Sequence, residues 1–408
     1  MSVKQDVAAF IQILLRWTLL VLLTSFFAGT LSALFLIALN SATVFRDLHP
    51  WLLYFLPLAG LAVGLLYHYL GNGAERGNNL IFDTIHNPGD VIPFKMAPLV
   101  LVGTVVTHLF GGSAGREGTA LQMSAAAADQ LHEPFRLTAE ERVILLISAL
   151  SAGFASVFGT PLAGAIFGIE VLLIRKFPPK AIVPAFAAAF LGAWITELWG
   201  VTHTHYHINL VPALSLKGLV YCILAGIAFA IAAVGFVRLT RLFSNTFKRI
   251  AFAPLRPFTG GIIVVFFVLT LDAYRYVGLG IPLITGAFES ASAPQDFAWK
   301  ILLTAITLGS GFKGGEVTPL FFIGATLGSA LSLILPLPVG LLAGMGFVAV
   351  FAGAAKTPLA CMVMAMELFG LPSAIFVMVS CMVAYFISGK HSIYNVPENK
   401  SPKHFLFG

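Results

Sequence analysis

The residues of this chain that can do chemistry gather in two glycine-rich breaks. "GGSAGREGTA" (111–120) carries Arg116 and Glu117, and "GSGFKGGEVT" (309–318) carries Lys313 and Glu316. Each glutamate is followed two residues later by a threonine, Thr119 and Thr318. Three kinds of chemistry suit a carboxylate in such a place. Glu117 can close an ion pair with Arg116 at a helix cap, as Glu316 can with Lys313. It can border a hydrolytic site, because 111–115 reads G-x-S-x-G, the nucleophile-elbow pattern with Ser113 at its centre. Or it can alternate with an anion at the free N–H groups of a helix start, where the dipole end favours negative charge. Ionised, it competes with the anion; protonated, it leaves and carries a proton. Glycine allows the backbone to approach a small ion closely.

Composition decides the medium in which this happens. Of 408 residues, 58% are hydrophobic and 10% charged, and the mean hydropathy is +0.91. A soluble domain carries about 25% charged residues, so the chain is read as an integral membrane protein. Its length allows about ten or more spanning or partly inserted helices. The 39 glycines and 22 prolines argue for short or interrupted helices, whereas a β-barrel would alternate in ten-residue segments. A net charge of +6 is explained by positive-inside loops and calls for no nucleic acid. Arg175, Lys176 and Lys180, and then Arg238, Arg241, Lys248, Arg249 and Arg256, mark cytoplasmic loops, which puts both termini on the cytoplasmic side of a plasma membrane of bacterial type. Cys222, Cys361 and Cys381 sit in apolar runs without metal spacing, and no cofactor or metal is expected. "HTHYH" (203–207) is read as a solvated loop in preference to a metal site. Trp17, Trp51, Trp194 and Trp199 are read as interfacial anchors. The first apolar run is read as a retained helix, not a signal peptide.

The chain repeats itself. "FASVFGTPLAGAIFGIE" (154–170) matches "FAGAAKTPLACMVMAME" (351–367), with Thr160/Thr357, Pro161/Pro358, Leu162/Leu359 and Glu170/Glu367 each 197 positions apart. Glu117 and Glu316 are 199 apart. Two halves, about 1–200 and 201–408, form one transmembrane domain, and no soluble regulatory domain is expected. Broken helices at matching places in two halves point to a transporter-type site at their interface. Irregular backbone at membrane depth persists only where it is buried or lines a wet cavity, and an ionisable residue there is functional by default. The hydrolase alternative needs a strand before Ser113 and His108 or His132 as base. The preceding run "APLVLVGTVVTHLF" is too long for a lone strand. Glu170 and Glu367, at helix ends after TPLA, favour a structural role.

At these residues the chain resembles the CLC chloride channels and antiporters. "GREGT" (115–119) resembles their G-[KR]-E-G-P, "GGEVTP" (314–319) their G-x-F-x-P, "GNNLI" (77–81) their G-S-G-I-P, and Tyr394 in "HSIYN" their C-terminal anion-binding tyrosine. Four departures mark the branch. Asn78 replaces the serine, Thr119 the proline, Glu316 adds an acid, and Val171 stands where chloride antiporters place an inner proton-transfer glutamate. That set resembles the CLC-type fluoride/proton antiporters, whose hallmark is G-G-E-V-T-P. The resemblance implies an all-α polytopic fold of two inverted repeats meeting at a mid-membrane anion site. It implies a homodimer with one pathway per subunit, exporting fluoride against protons across the lipid bilayer. Glu117 would be the gating glutamate, with Glu316 and Thr318 serving fluoride handling or proton transfer. Asn78 and Tyr394 would coordinate the anion, together with the backbone at Gly115, Arg116, Gly118 and Val317. Asn72, in "GNG" (71–73), remains the alternative to Asn78. A chloride/proton antiporter or a passive anion channel is the alternative within the same fold.

Overall fold

A computed structural model of the protein describes residues 3–87, 89, 91–171 and 179–394. Arg175 and Lys176 of the first basic cluster lie outside the described residues, as do 1–2 and 395–408 at the termini.

Broken apolar runs become, among the described residues, sixteen α-helices, eight before residue 200 and eight after it. The first set is α1 (Val3–Leu48), α2 (Leu56–Leu70), α3 (Asn78–His86), α4 (Met96–Leu109), α5 (Glu117–Asp129), α6 (Ala139–Phe158), α7 (Pro161–Glu170) and α8 (Ile182–Leu198). The second set matches it in order: α9 (Leu216–Phe247), α10 (Leu255–Thr270), α11 (Ile281–Gly286), α12 (Asp296–Ser310), α13 (Val317–Leu331), α14 (Val339–Ala355), α15 (Pro358–Phe369) and α16 (Ala374–Ile387). Five helical segments are long and apolar enough to cross a membrane, and seven further apolar helices have 10–17 residues. The short ones follow from the sequence breaks. Thr160–Pro161 and Thr357–Pro358 start α7 and α15, where proline at the first helical position loses no hydrogen bond. Thr138 and Glu141 form a capping box that starts α6.

Matched elements run in opposite directions. An open vestibule is lined both by the C-terminal part of α1, from Leu36 to Asp47, and by Gly200–Thr204 in the connection leading to α9. The end of α1 and the approach to the start of its counterpart α9 therefore share one face. The contacts between halves are reciprocal, as a two-fold relation requires. Glu170 accepts from the amides of Leu359 and Ala360 at 2.9 and 2.7 Å, and Glu367 from those of Leu162 and Ala163 at 2.8 Å each. Each carboxylate thus caps the first turn of the other half's TPLA helix. The structural role read for this pair is what the geometry shows.

The core is apolar and tightly packed. Phe154 stacks on Phe167 at 4.1 Å and Phe321 on Phe347 at 4.0 Å between ring centroids. α13 and α14 touch backbone to backbone: a methyl added to Gly324 would fall on the Gly346 carbonyl, and one on Gly346 would fall on that of Gly324. Small residues at such crossings are how membrane helices approach closely. Trp51, Trp194 and Trp199 are exposed on the outside of the bundle.

Candidate anion site

The two glycine-rich breaks meet face to face. Gly115 donates its N–H to the Gly315 carbonyl at 2.7 Å, and Gly315 donates back to the Gly115 carbonyl at 2.8 Å. A methyl on Gly315 would lie 2.7, 3.1 and 3.3 Å from the amide nitrogens of Gly118, Glu117 and Arg116, so only glycine lets the second break sit on the first turn of α5. The N-termini of α5 and α13 are thereby brought together from opposite halves.

Glu117 is the first residue of α5 and is fully buried. Its carboxylate reaches across to the other half, where it accepts from the Thr318 amide at 3.0 Å and from the Thr318 hydroxyl. The Arg116 amide donates to it at 3.2 Å, and Arg116 Nε lies 3.7 Å from Oε1. The Arg116–Glu117 pair considered from the sequence does exist. It does not account for the site, because the carboxylate's nearest partners belong to the start of α13. A carboxylate is a favourable anion for a helix N-terminus, and here it fills that position.

The remaining candidates surround this point unequally. Glu316 stands at the N-cap position of α13 and makes no side-chain capping hydrogen bond. A methyl on Gly118 would lie 3.2 Å from Asn78 Nδ2 and 3.8 Å from Glu316 Oε2, so Asn78 and Glu316 both face the first turn of α5. Asn78 Oδ1 is buried with no hydrogen-bond partner. Asn72 is exposed in the turn before it, at φ +39°. Val317, the first residue of α13, is buried. Lys313 does not pair with Glu316: its ammonium sits over the Tyr67 ring, 3.9 Å from the centroid. Tyr394 is buried, packs edge-on against Phe82 at 5.0 Å, and lies within electrostatic reach of Glu316 and Glu117. It is held there by its neighbours, because Ile393 N–H bonds to the Ala354 carbonyl at 2.9 Å and Arg241 donates to the Ser392 carbonyl at 2.8 Å.

Two further departures noted in the sequence can be placed. Thr119 shares a hydrogen bond of 2.7 Å with Thr104, tying α5 to α4. Val171 is buried at the end of α7 and offers no acid. The hydrolase alternative finds no support in geometry. The Ser113 hydroxyl is buried and engages Thr304 at 2.9 Å and the Tyr276 carbonyl at 3.2 Å. His108 is buried with Nδ1 2.9 Å from the Thr104 carbonyl oxygen and Nε2 3.0 Å from that of Ala114, so whichever nitrogen carries the proton donates it to a carbonyl.

The sequence reading missed the vestibule side of the site. A small cavity of about 20 Å³ borders Glu117 and Thr318, with Phe158, Phe321 and Phe347 among its apolar walls and His203 and Tyr206 among its polar ones. The "HTHYH" segment is therefore only partly a solvated loop: His205 and His207 are exposed, while His203 and Tyr206 turn inward. No group of metal-ligating side chains occurs among the described residues.

With this geometry in view, likeness to known proteins is informative. The family model described as voltage gated chloride channel matches residues 59–389. A chloride/fluoride channel protein of Pseudomonas syringae pv. tomato is 50% identical over 396 residues, covering 95% of this chain and 88% of that one. The crystal structure of a CLC-type fluoride/proton antiporter superposes with a TM-score of 0.90 at 35% identity, covering 93% of this chain and 97% of the other. That of a slow cyanobacterial Cl⁻/H⁺ antiporter gives a TM-score of 0.79 at 21% identity, over 91% of this chain and 94% of the other, and speaks for the fold alone. Two inverted helical halves whose broken helices meet at a buried carboxylate, and this breadth of likeness, leave one assignment: the chain is a member of the voltage-gated chloride channel (CLC) family of membrane anion transporters.

Proposed function

We propose that the protein exports fluoride in exchange for protons. The observation that carries this reading is the Glu117 carboxylate seated on the α13 N-terminus, bonded to the Thr318 amide and hydroxyl. A group that sits there as an anion is displaced by an arriving anion, and once displaced into an apolar cavity it takes up a proton. One residue then couples the two flows. Glu316 and Thr318 extend the handling of proton and anion on the α13 side. Asn78 donates its amide, Tyr394 its hydroxyl, and Gly115, Arg116, Gly118 and Val317 their backbone amides or immediate surroundings. Fluoride is small and strongly hydrated, so stripping its water demands dense donors, and a protonated carboxyl at Glu316 would be one such donor.

The basic residues Arg238, Arg241, Lys248 and Arg249 lie toward the C-terminal end of α9 or just past it. On the positive-inside rule that end is cytoplasmic, so the vestibule at the opposite end faces outward and the termini face inward. The protein works as one transmembrane domain of halves near 1–200 and 201–408, as a homodimer in a bacterial-type plasma membrane. The second reading in this fold is chloride/proton exchange or passive anion flow, favoured only by the fold itself. Purified protein in fluoride- or chloride-loaded liposomes separates them. Fluoride efflux with proton uptake, and little for chloride, supports export by antiport. Comparable coupled chloride flux, or anion flux without proton movement, rejects it.

A further inference from the structure

Protons must reach Glu117 from the vestibule through a narrow partition. Arg116, His203, Thr204 and Ile281 line both the open vestibule, about 760 Å³, and the small cavity of about 20 Å³ that touches Glu117. These residues are therefore the wall between the two. The small cavity has room for about one water molecule. In that wall, His203 Nε2 is buried and has no hydrogen-bond partner. The ring is oriented by packing, since a methyl on Gly159 would lie 2.6 Å from its Cδ2 and the Val157 carbonyl is in reach on the other side. An oriented imidazole with one free nitrogen, between bulk water and a buried carboxylate, is built to pass protons.

We propose that His203 is the proton relay between the vestibule and Glu117. Hydronium in the vestibule protonates Nε2 and leaves water; the N–H proton then passes to the water in the small cavity as that water gives one of its own protons to the Glu117 carboxylate. One proton moves, the imidazole returns to its starting form, and no oxidant or co-reactant is needed. This inference rests on the antiport reading above.

The surrounding charges suit the role. Arg116 faces His203 from the loop before α5, and His205 and Tyr206 flank it in its own connection, with Glu117 across the small cavity. Across the vestibule, Arg46 is occupied by Asp47 at 2.8 Å and Arg275 by Asp296 at 2.7 Å. Burial, followed by the Arg116 charge, pushes the His203 imidazole down to about 4. Its free nitrogen thus carries a lone pair between transfers, and a proton placed there is passed on, not stored.

The test is coupled fluoride efflux and proton uptake in liposomes at several external pH values, for wild type, His203→Gln, His203→Ala and His203→Phe. Glutamine can hold a water but cannot carry a proton. The relay predicts that His203→Gln and His203→Ala lower coupled flux at least ~10-fold above pH 7, as loss of an acid–base group does. The deficit should shrink as external pH falls and hydronium reaches Glu117 directly. External imidazole should restore His203→Ala but not His203→Phe, in which the space is filled. Matched melting temperatures and elution profiles confirm folding. Wild-type rates in the variants overturn the relay, as does a deficit equal at every pH and unmoved by imidazole, because that is the behaviour of a packing residue. If wild type itself moves fluoride without protons, the antiport reading falls first and takes the relay with it.

Discussion

Glu117 bonds to Thr318 in the other half, so its charge and its proton are separable by mutation. Glu117→Gln keeps an acceptor for the Thr318 amide but cannot release or take a proton, and proton uptake driven by fluoride should fall at least ~100-fold in a liposome pH assay. Thr318→Val removes a hydroxyl donor to a charged group, worth about 1.5–3 kcal/mol, and should raise the fraction of time the gate is displaced, seen as faster loss of coupling at low fluoride. Asn78 and Asn72 separate cleanly. Asn78→Ala should weaken fluoride binding by about 5- to 100-fold, the worth of a lost donor at a desolvated anion. Asn72→Ala, at an exposed turn, should bind as wild type in the same calorimetric titration; the reverse pattern would move the ligand to Asn72. Glu316→Gln should abolish fluoride transport with folding intact, and unchanged transport would remove Glu316 from the pathway. Glu117 and Glu316 stood out in the sequence because they sit in repeat-matched breaks, whereas Asn78 was reached only through the family resemblance. His203 did not stand out, since nothing in "HTHYH" tells that the segment folds back against Gly159.

At the scale of elements, the helix starts divide into two kinds. Those of α7 and α15 are neutralised by Glu367 and Glu170 from the opposite half. That of α13 is occupied by Glu117, again from the opposite half. Glu170→Ala or Glu367→Ala leaves two amides uncapped at the junction of the halves, and each should lower stability by about 1–3 kcal/mol, read as a melting shift in detergent. Similar losses from the two are expected because the contacts are symmetric. Gly324→Ala or Gly346→Ala forces α13 and α14 apart and should destabilise by about 1–3 kcal/mol through overpacking, with parallel loss of transport, because α13 carries Thr318. The pairing of TPLA segments was readable from their 197-residue spacing. The reciprocal capping was not, because spacing alone does not say which end of one helix meets which end of its mate. The glycines of α13 and α14 looked like any others until the two backbones were seen to touch.

For the molecule as a whole, the inverted halves place two broken helices nose to nose with the Glu117 carboxylate between them. Composition and repeat made the membrane fold legible, while the vestibule and its partition depend on which distant segments close over Glu117, and no local pattern records that. The central claim is competition: fluoride and the ionised Glu117 cannot both hold the α13 N-terminus. Fluoride titration of the purified protein by calorimetry, in buffers of differing ionisation enthalpy, measures this directly through the protons exchanged on binding. Net proton uptake in wild type, absent in Glu117→Gln, is the predicted result. Fluoride binding with no proton exchange in wild type would contradict it and leave Glu117 a fixed cap.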